Sequence, residues 1–147
     1  MDELRGYKKL LAWERADELA AMVYRMSREV AKTDRWLASQ LARSAISVPA
    51  NIAEGYGRGS LGDYLRFLDI ARGSLAELEY HLHFVTREAL IQGTAAERSL
   101  SLHGETARLL TGLWQSLKAK NNSTWDHSGG SGQVREEKAI YGFDDDD

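Results

Sequence analysis

The chain has 147 residues, 43% of them hydrophobic and 28% charged, a composition that fits one globular domain. It contains no cysteine, which excludes disulfide frameworks, thiol nucleophiles and thiolate metal sites. No apolar run approaches the roughly 20 residues that cross a bilayer. The acidic residues Asp2 and Glu3, with no apolar segment behind them, do not fit a secretory signal, so we expect a cytoplasmic protein.

The charge of the chain is unevenly distributed. Residues 1–120 carry 17 basic and 15 acidic side chains, a net charge of +2. Residues 121–147 carry 2 basic and 7 acidic side chains, a net charge of −5. The sequence therefore predicts a nearly neutral body followed by an acidic tail.

The first half of the body shows the apolar period of an amphipathic helix and no alternation of period two. This period predicts one helix over residues 7–31 and a second over residues 34–54, with Asp34 as the N-cap of the second. Pro49 cannot donate to the carbonyl of Ala45, so we expect a kink there, with Ser44 and Ser47 bonding to freed carbonyls.

The second half of the body continues the same pattern. Apolar residues spaced alternately by three and four form a heptad stripe from Leu61 to Val85. Capping patterns at Ser60 and Thr94 predict a third helix over residues 60–91, stopped near Gly93, and a fourth over residues 94–119. Short connections favour an all-α fold, an up-down-up-down antiparallel four-helix bundle formed by residues 1–120.

The composition changes after Lys120. Residues 128–132 read Ser-Gly-Gly-Ser-Gly, which is typical of a flexible linker, and four Asp close the chain. This pattern favours an engineered fusion over a natural tail for residues 121–147. We expect Ile140, Tyr141 and Phe143 to act as anchors that dock on a partner or on the bundle itself, with the Asp run directed to basic residues.

The sequence offers little support for catalysis. The Glu-x-x-His spacing of a di-iron bundle is absent, and His81 and His83 lie about 200° apart around a helix, so they cannot share a metal. Glu77 and His81 could share a face, although a surface pair is the simpler interpretation. His103 is interpreted as a structural histidine. We therefore predict no enzymatic activity, no metal and no cofactor.

Basic residues suggest two alternatives. Arg43, Arg58, Arg66 and Arg72 are ordinary solvated charges if the protein is a monomer, because acidic residues lie among them. In a ring-shaped oligomer the same arginines would be repeated around an axis and could form a nucleic-acid-binding surface.

Large apolar residues outside the heptad stripe are the stronger signal. A single bundle buries about three of every seven helical positions. The third helix has three more large apolar residues than its core side needs: Leu65, Phe67 and Ile70. We predict that they form an interface between copies of the chain.

Residues 40–55, QLARSAISVPANIAEG, resemble the signature of the four-helix bundle proteins encoded in intervening sequences of 23S ribosomal RNA genes. The family includes the accessory variability determinant of diversity-generating retroelements, and the resemblance covers about residues 7–118. It implies an up-down bundle, often a homopentameric ring, with no established enzymatic activity. For the retroelement branch it implies binding to a reverse transcriptase and to nucleic acid through a basic surface. Within the motif, Asn51, Glu54 and Gly55 are interpreted as structural residues.

Two hypotheses of function follow. The first is a non-enzymatic, homo-oligomeric helical scaffold that binds itself and an RNA or an RNA-handling partner. The alternative is a nucleic-acid-binding accessory protein that acts with a reverse transcriptase in a diversity-generating retroelement.

Overall fold

The computed structural model describes residues 6–126, and side chains up to residue 123. Within that range the chain forms a short 3₁₀ helix over Gly6–Lys9 and four α-helices, with no strand. The α-helices are α1 (Leu11–Ala31), α2 (Arg35–Tyr56), α3 (Leu61–Arg87) and α4 (Ala95–Asp126). Each helix packs against the helices next to it in sequence, and α4 also packs against α1. The predicted up-down-up-down antiparallel bundle is confirmed.

One continuous apolar core runs along the bundle axis. The heptad stripe predicted on α3 supplies much of it, because Tyr64, Leu68, Leu78, Leu82 and Val85 are all buried. The other helices contribute buried residues at the same period, among them Leu19, Val23, Leu41, Val48, Ile52, Leu110 and Leu113. Burial of this apolar surface is the main favourable contribution to the stability of the bundle.

Two predicted N-caps are present. The Asp34 carboxylate accepts a hydrogen bond from the Leu37 backbone N–H at 2.9 Å. The Ser60 hydroxyl accepts one from the Asp63 backbone N–H at 3.2 Å. These bonds satisfy donors that the first helical turn leaves unpaired, and they fix where α2 and α3 begin.

Several predicted boundaries are corrected. The first predicted helix begins as the short 3₁₀ turn, and α2 extends two residues past the predicted end. Helix α3 ends at Arg87, not near Ile91, and α4 continues through residues 121–126, which the sequence assigned to the tail.

The early end of α3 has a local cause. Ala89 adopts a positive φ of 55°. The Leu90 N–H bonds to the Val85 carbonyl at 2.9 Å and the Ala89 N–H to the Thr86 carbonyl at 3.1 Å. This pair of bonds is a Schellman motif, which closes a helix through one left-handed residue that is usually glycine. The sequence prediction expected Gly93 in that role, so it placed the end too late.

Helix α2 continues from residue 35 to residue 56 through Pro49, which is buried. Ser44 donates to the Leu41 carbonyl at 3.1 Å, one turn before the carbonyl of Ala45. The Ser47 hydroxyl instead contacts α3 through Ser74. The serines therefore do not serve the Ala45 carbonyl as expected. Both help to join α2 to α3.

Candidate interaction surfaces

The contact between α2 and α3 contains a row of hydrogen-bonded polar side chains. The hydroxyls of Ser47 on α2 and Ser74 on α3 lie 2.7 Å apart. Asn51 donates its amide to the Ser47 carbonyl at 2.8 Å and to the Ser47 hydroxyl at 2.9 Å. One turn away, the Ser44 hydroxyl lies 3.1 Å from Nδ1 of His81. These bonds fix the register of α2 against α3, since half-buried polar groups are costly when unpaired.

Gly55 allows the two helices to approach closely where α2 ends. A Cβ atom at this position would lie 2.9 Å from Cβ of Phe67 and 3.2 Å from the Tyr64 carbonyl oxygen. The first distance is too short for two carbon atoms, so a larger residue would push α3 away. Glu54, the residue before it, forms an ion pair with Arg58 one turn later. Asn51, Glu54 and Gly55 thus have structural contacts: Asn51 bonds to Ser47 within α2, Glu54 pairs with Arg58, and Gly55 allows the close approach to α3.

The predicted arginines fall into two groups. Arg58 and Arg66 both stack on the ring of Phe67, with guanidinium carbons 4.5 Å and 4.8 Å from its centroid. Arg72 stacks on Trp114 at 4.1 Å. Arg43 lies apart from them, exposed on α2, and makes no ion pair with any described residue. The structure therefore places three of the four arginines against aromatic rings, Arg58 and Arg66 at the start of α3 and Arg72 near its middle.

Each stacked arginine also has an acidic neighbour. Arg58 contacts Glu54, Arg66 lies 3.8 Å from Asp63, and Arg72 lies 3.4 Å from Asp69. These contacts are exposed, and ion pairs of this kind contribute little stability. A guanidinium stacked on a ring still presents its N–H groups at its edge, where a planar oxyanion can accept them.

The predicted interface residues differ in exposure. Leu65 is only 7% exposed and belongs to the core of its own chain, so its assignment to an outward interface is corrected. The reason is that α3 packs against both α2 and α4, which widens its buried arc beyond the heptad stripe. Phe67 is half-buried beneath its two arginines, whereas Ile70 is 42% exposed.

Sequence reasoning missed three exposed apolar residues on α2 and α3. Trp36 and Ile46 on α2 are 71% and 47% exposed, and Tyr80 on α3 is 59% exposed. The signal was present in α2, where positions 36, 39, 43, 46 and 50 share one solvent face at spacings of three and four. The helical period groups Trp36 with the core residues of α2, so sequence reasoning predicts it buried, and no prediction covers Ile46 or Tyr80.

Two of the histidines, His81 and His103, have structural partners. Nε2 of His103 lies 2.7 Å from the Leu75 carbonyl oxygen, so this buried side chain ties α4 to α3. Ser44, His81 and Glu77 form a chain, with Nε2 of His81 3.8 Å from Glu77. Ser44 is only 3% exposed and directs its hydroxyl hydrogen to Leu41, which leaves it without access to a substrate.

The remaining features of the described part of the chain include an arginine with a raised pKa and a hollow on the surface. A hydrogen bond to Glu105, with the nearby Glu18 carboxylate, raises the pKa of Arg15, which stays charged either way. Among residues 6–126 no group of three potential metal ligands is found, and no helix is long and apolar enough to cross a membrane. A shallow hollow of about 200 Å³ lies between α3 and α4, lined by Arg72, Ala76, Glu79, His103 and Ala107 among others.

The tail anchors Ile140, Tyr141 and Phe143 lie outside the described residues, as do the linker-like residues 128–132.

Two comparisons with known proteins find relatives of this chain. The profile of a family described as 23S rRNA-intervening sequence protein matches residues 8–112. Among solved structures, the chain is similar to a Bacteroides thetaiotaomicron protein of unknown function from the S23 ribosomal protein family. The TM-score is 0.66 and the identity 24%, over 71% of this chain and 98% of that chain, a likeness of fold. No curated protein matches the chain.

Proposed function

Because the chain belongs to the 23S rRNA-intervening sequence protein family, we propose that it is a non-enzymatic homo-oligomeric scaffold, assembled as a homopentameric ring. One observation carries the proposal. Four of the large apolar side chains that the monomer leaves exposed, Trp36, Ile46, Ile70 and Tyr80, lie on the adjoining helices α2 and α3. A concentration of such residues on one side of a bundle marks a contact with another protein.

The solvent side of α2 and α3 is suited to close packing. We call it the α2/α3 outer face and define it by its exposed members Trp36, Arg43, Ile46, Ala50, Ile70, Gly73 and Tyr80. Ala50 and Gly73 are small and allow a neighbouring helix to approach, while the aromatic residues supply large apolar areas. The row of serine contacts beneath this face holds α2 and α3 in a fixed register, so the face is preorganised for a partner.

Charges on this face suggest how two copies meet. Arg43 has no acidic partner among the described residues, and Glu77 is close only to His81, at 3.8 Å. In a ring each contact joins two different patches, so the α2 half of one copy packs on the α3 half of the next. Arg43 of one copy then pairs with Glu77 of its neighbour.

The proposal is tested by analytical ultracentrifugation of matched variants. Ile46→Asp places a charge in the outer face and should yield monomer. Leu100→Asp changes a residue of similar exposure, 41% against 47%, on α4 and should leave the oligomer intact. The pairing is tested by Arg43→Glu and Glu77→Arg, each of which should weaken assembly, whereas the double variant restores it. Equal assembly of all these variants would contradict the proposal.

A second function is supported by the stacked arginines. In this alternative the protein is a nucleic-acid-binding accessory protein that acts with a reverse transcriptase, and Arg58, Arg66 and Arg72 contact phosphates or stack with bases. The cation and ring pairs at Phe67 and Trp114 favour it, because base stacking and phosphate contacts together hold single strands. Residues 1–120 have a net charge of only +2, so a single chain attracts phosphates weakly. A ring would repeat the arginines around its axis and supply a stronger positive electrostatic potential.

This alternative has its own experiment. Affinity for a single-stranded RNA oligonucleotide is measured against salt for the unchanged protein and for Arg58→Gln/Arg66→Gln/Arg72→Gln. Phosphate contacts predict that log affinity falls linearly with log salt and that the triple variant has a smaller slope. Arg98→Gln, at the opposite end of the bundle, is the control. An affinity independent of salt, or unchanged in the triple variant, would reject the alternative.

A further inference from the structure

Two groups of cations and aromatic rings lie along the first half of α3, one beside the turn that follows α2 and one against α4. Arg58 and Arg66 face Phe67, while Arg72 and Lys118 face Trp114 at 4.1 Å and 5.1 Å. We call these six residues the basic-aromatic end. Stacking on the rings holds the arginines in place, and their N–H groups stay available at the edges for carboxylates.

The acidic neighbours within the bundle do not fully compensate these cations. Arg58 is paired with Glu54, but Asp63 and Asp69 approach Arg66 and Arg72 only at 3.8 Å and 3.4 Å, longer than a good charged hydrogen bond. Lys118 forms no ion pair with any residue that the structure describes. The basic-aromatic end thus retains capacity for added carboxylates.

The chain itself supplies a complementary segment next to this end. Residues 121–147 carry a net charge of −5, ending in Asp144–Asp147, with Ile140, Tyr141 and Phe143 just before them. These are the two kinds of group, carboxylates and apolar rings, that stacked arginines and half-buried aromatic residues accept. From this complementarity we infer that the segment Ile140–Asp147 docks in cis on the basic-aromatic end of its own bundle.

The distances permit the contact. Asp126 ends α4 eight residues after Lys118, or about 12 Å along the axis at 1.5 Å per residue. The 14 residues from Asp126 to Ile140 include the Gly/Ser run, and a linker of that composition spans roughly 20 Å on average. Such a tether holds the segment at a roughly millimolar effective concentration, so even a weak contact forms.

Docking of the tail would occupy the same arginines that the nucleic-acid alternative requires. The tail therefore competes with phosphates. A nucleic acid would bind the basic-aromatic end only after it displaces the tail. The inference does not depend on oligomer formation or on RNA binding, because it concerns a contact between two parts of one chain.

The absence of cysteine in the full chain allows a direct test by paramagnetic relaxation enhancement. A nitroxide is attached at Gly62→Cys, beside the basic-aromatic end, where an added Cβ would meet no atom within 4 Å. We expect the amide signals of residues 140–147 to lose more than about half their intensity in dilute salt and to regain it near 0.5 M salt, where charges are screened. A label at Thr33→Cys, in the turn at the opposite end, should leave these signals unchanged.

Two variants and one mixing experiment complete the test. Replacing the four terminal Asp by Asn, or Arg58, Arg66 and Arg72 by Gln, should abolish the broadening without unfolding the bundle. Tail signals untouched by the Gly62 label in dilute salt would overturn the inference. Equally strong broadening in a mixture of labelled chains with separate isotope-enriched chains would also overturn it, since the contact would then join two copies.

Discussion

The contacts of α3 with its two neighbours differ in kind. Toward α2 it is held by Ser74, His81 and the close approach of Gly55, with hydrogen bonds at 2.7 Å and 3.1 Å. Toward α4, His103 forms a hydrogen bond with the Leu75 carbonyl, beside a hollow of about 200 Å³. The comparison indicates that polar contacts and a close approach join α2 to α3, while the contact of α3 with α4 is less tightly filled.

The largest expected effect is at Gly55. Gly55→Ala would place Cβ 2.9 Å from Phe67 Cβ. Because the backbone of α3 must shift, we expect a loss of about 2 to 3 kcal/mol in the free energy of unfolding, measured in urea at fixed protein concentration. Gly112→Ala on α4 is the control, since an added Cβ there meets nothing within 4 Å. The close-approach account is wrong if both variants have the same stability.

Enlarging one side chain on each side of α3 sharpens the comparison. Ser74→Leu should overpack the contact with α2 and lower stability by about 2 kcal/mol. Ala107→Leu should instead extend into the hollow against α4 and raise stability by about 1 kcal/mol. Thermal unfolding of the two variants should shift in opposite directions; shifts of the same sign would mean that the two contacts are equally packed.

A smaller effect is expected from the serine contacts. Ser47→Ala removes the hydroxyl that serves both Ser74 and Asn51. The half-buried partners then lose a hydrogen bond, and we expect a loss of about 1 kcal/mol. Ser101→Ala, exposed on α4, should change stability by less than about 0.5 kcal/mol. If Ser47→Ala leaves the free energy of unfolding unchanged, packing alone joins α2 to α3.

The smallest effect concerns the connection from α3 to α4. Ala89 has a φ of 55°, a conformation that costs an L-residue roughly 1 to 2 kcal/mol. Ala89→Gly relieves this cost but adds freedom to the unfolded chain, so the expected net gain is about 0.5 kcal/mol. The measurement is the denaturant midpoint, and a lower midpoint would mean that Ala89 makes a stabilising contact.

Much of the fold could be predicted because its signals are local. The period from Leu61 to Val85 and the caps at Asp34 and Ser60 depend only on neighbouring residues, and each is found in the structure. The end of α3 could not be predicted, because alanine is an unusual left-handed residue. The continuation of α4 past Lys120 was missed because its polar sequence resembles a loop.

The candidate surfaces were less predictable because they depend on which helices pack together. Leu65 is apolar and lies off the heptad stripe, yet the arrangement of α2 and α4 around α3 buries it. Trp36 shows the opposite case, an apolar residue within the helical period that stays 71% exposed. The stacking of Arg58 and Arg66 on one ring joins residues from the turn after α2 and the start of α3, a proximity that composition does not reveal.

The central claim, assembly through the α2/α3 outer face, is tested most directly by multi-angle light scattering of the unchanged protein at micromolar concentration. The account predicts a molar mass about five times that of the 16.5 kDa chain. A single peak at the mass of one chain, with Trp36 and Tyr80 exposed to water, would contradict it.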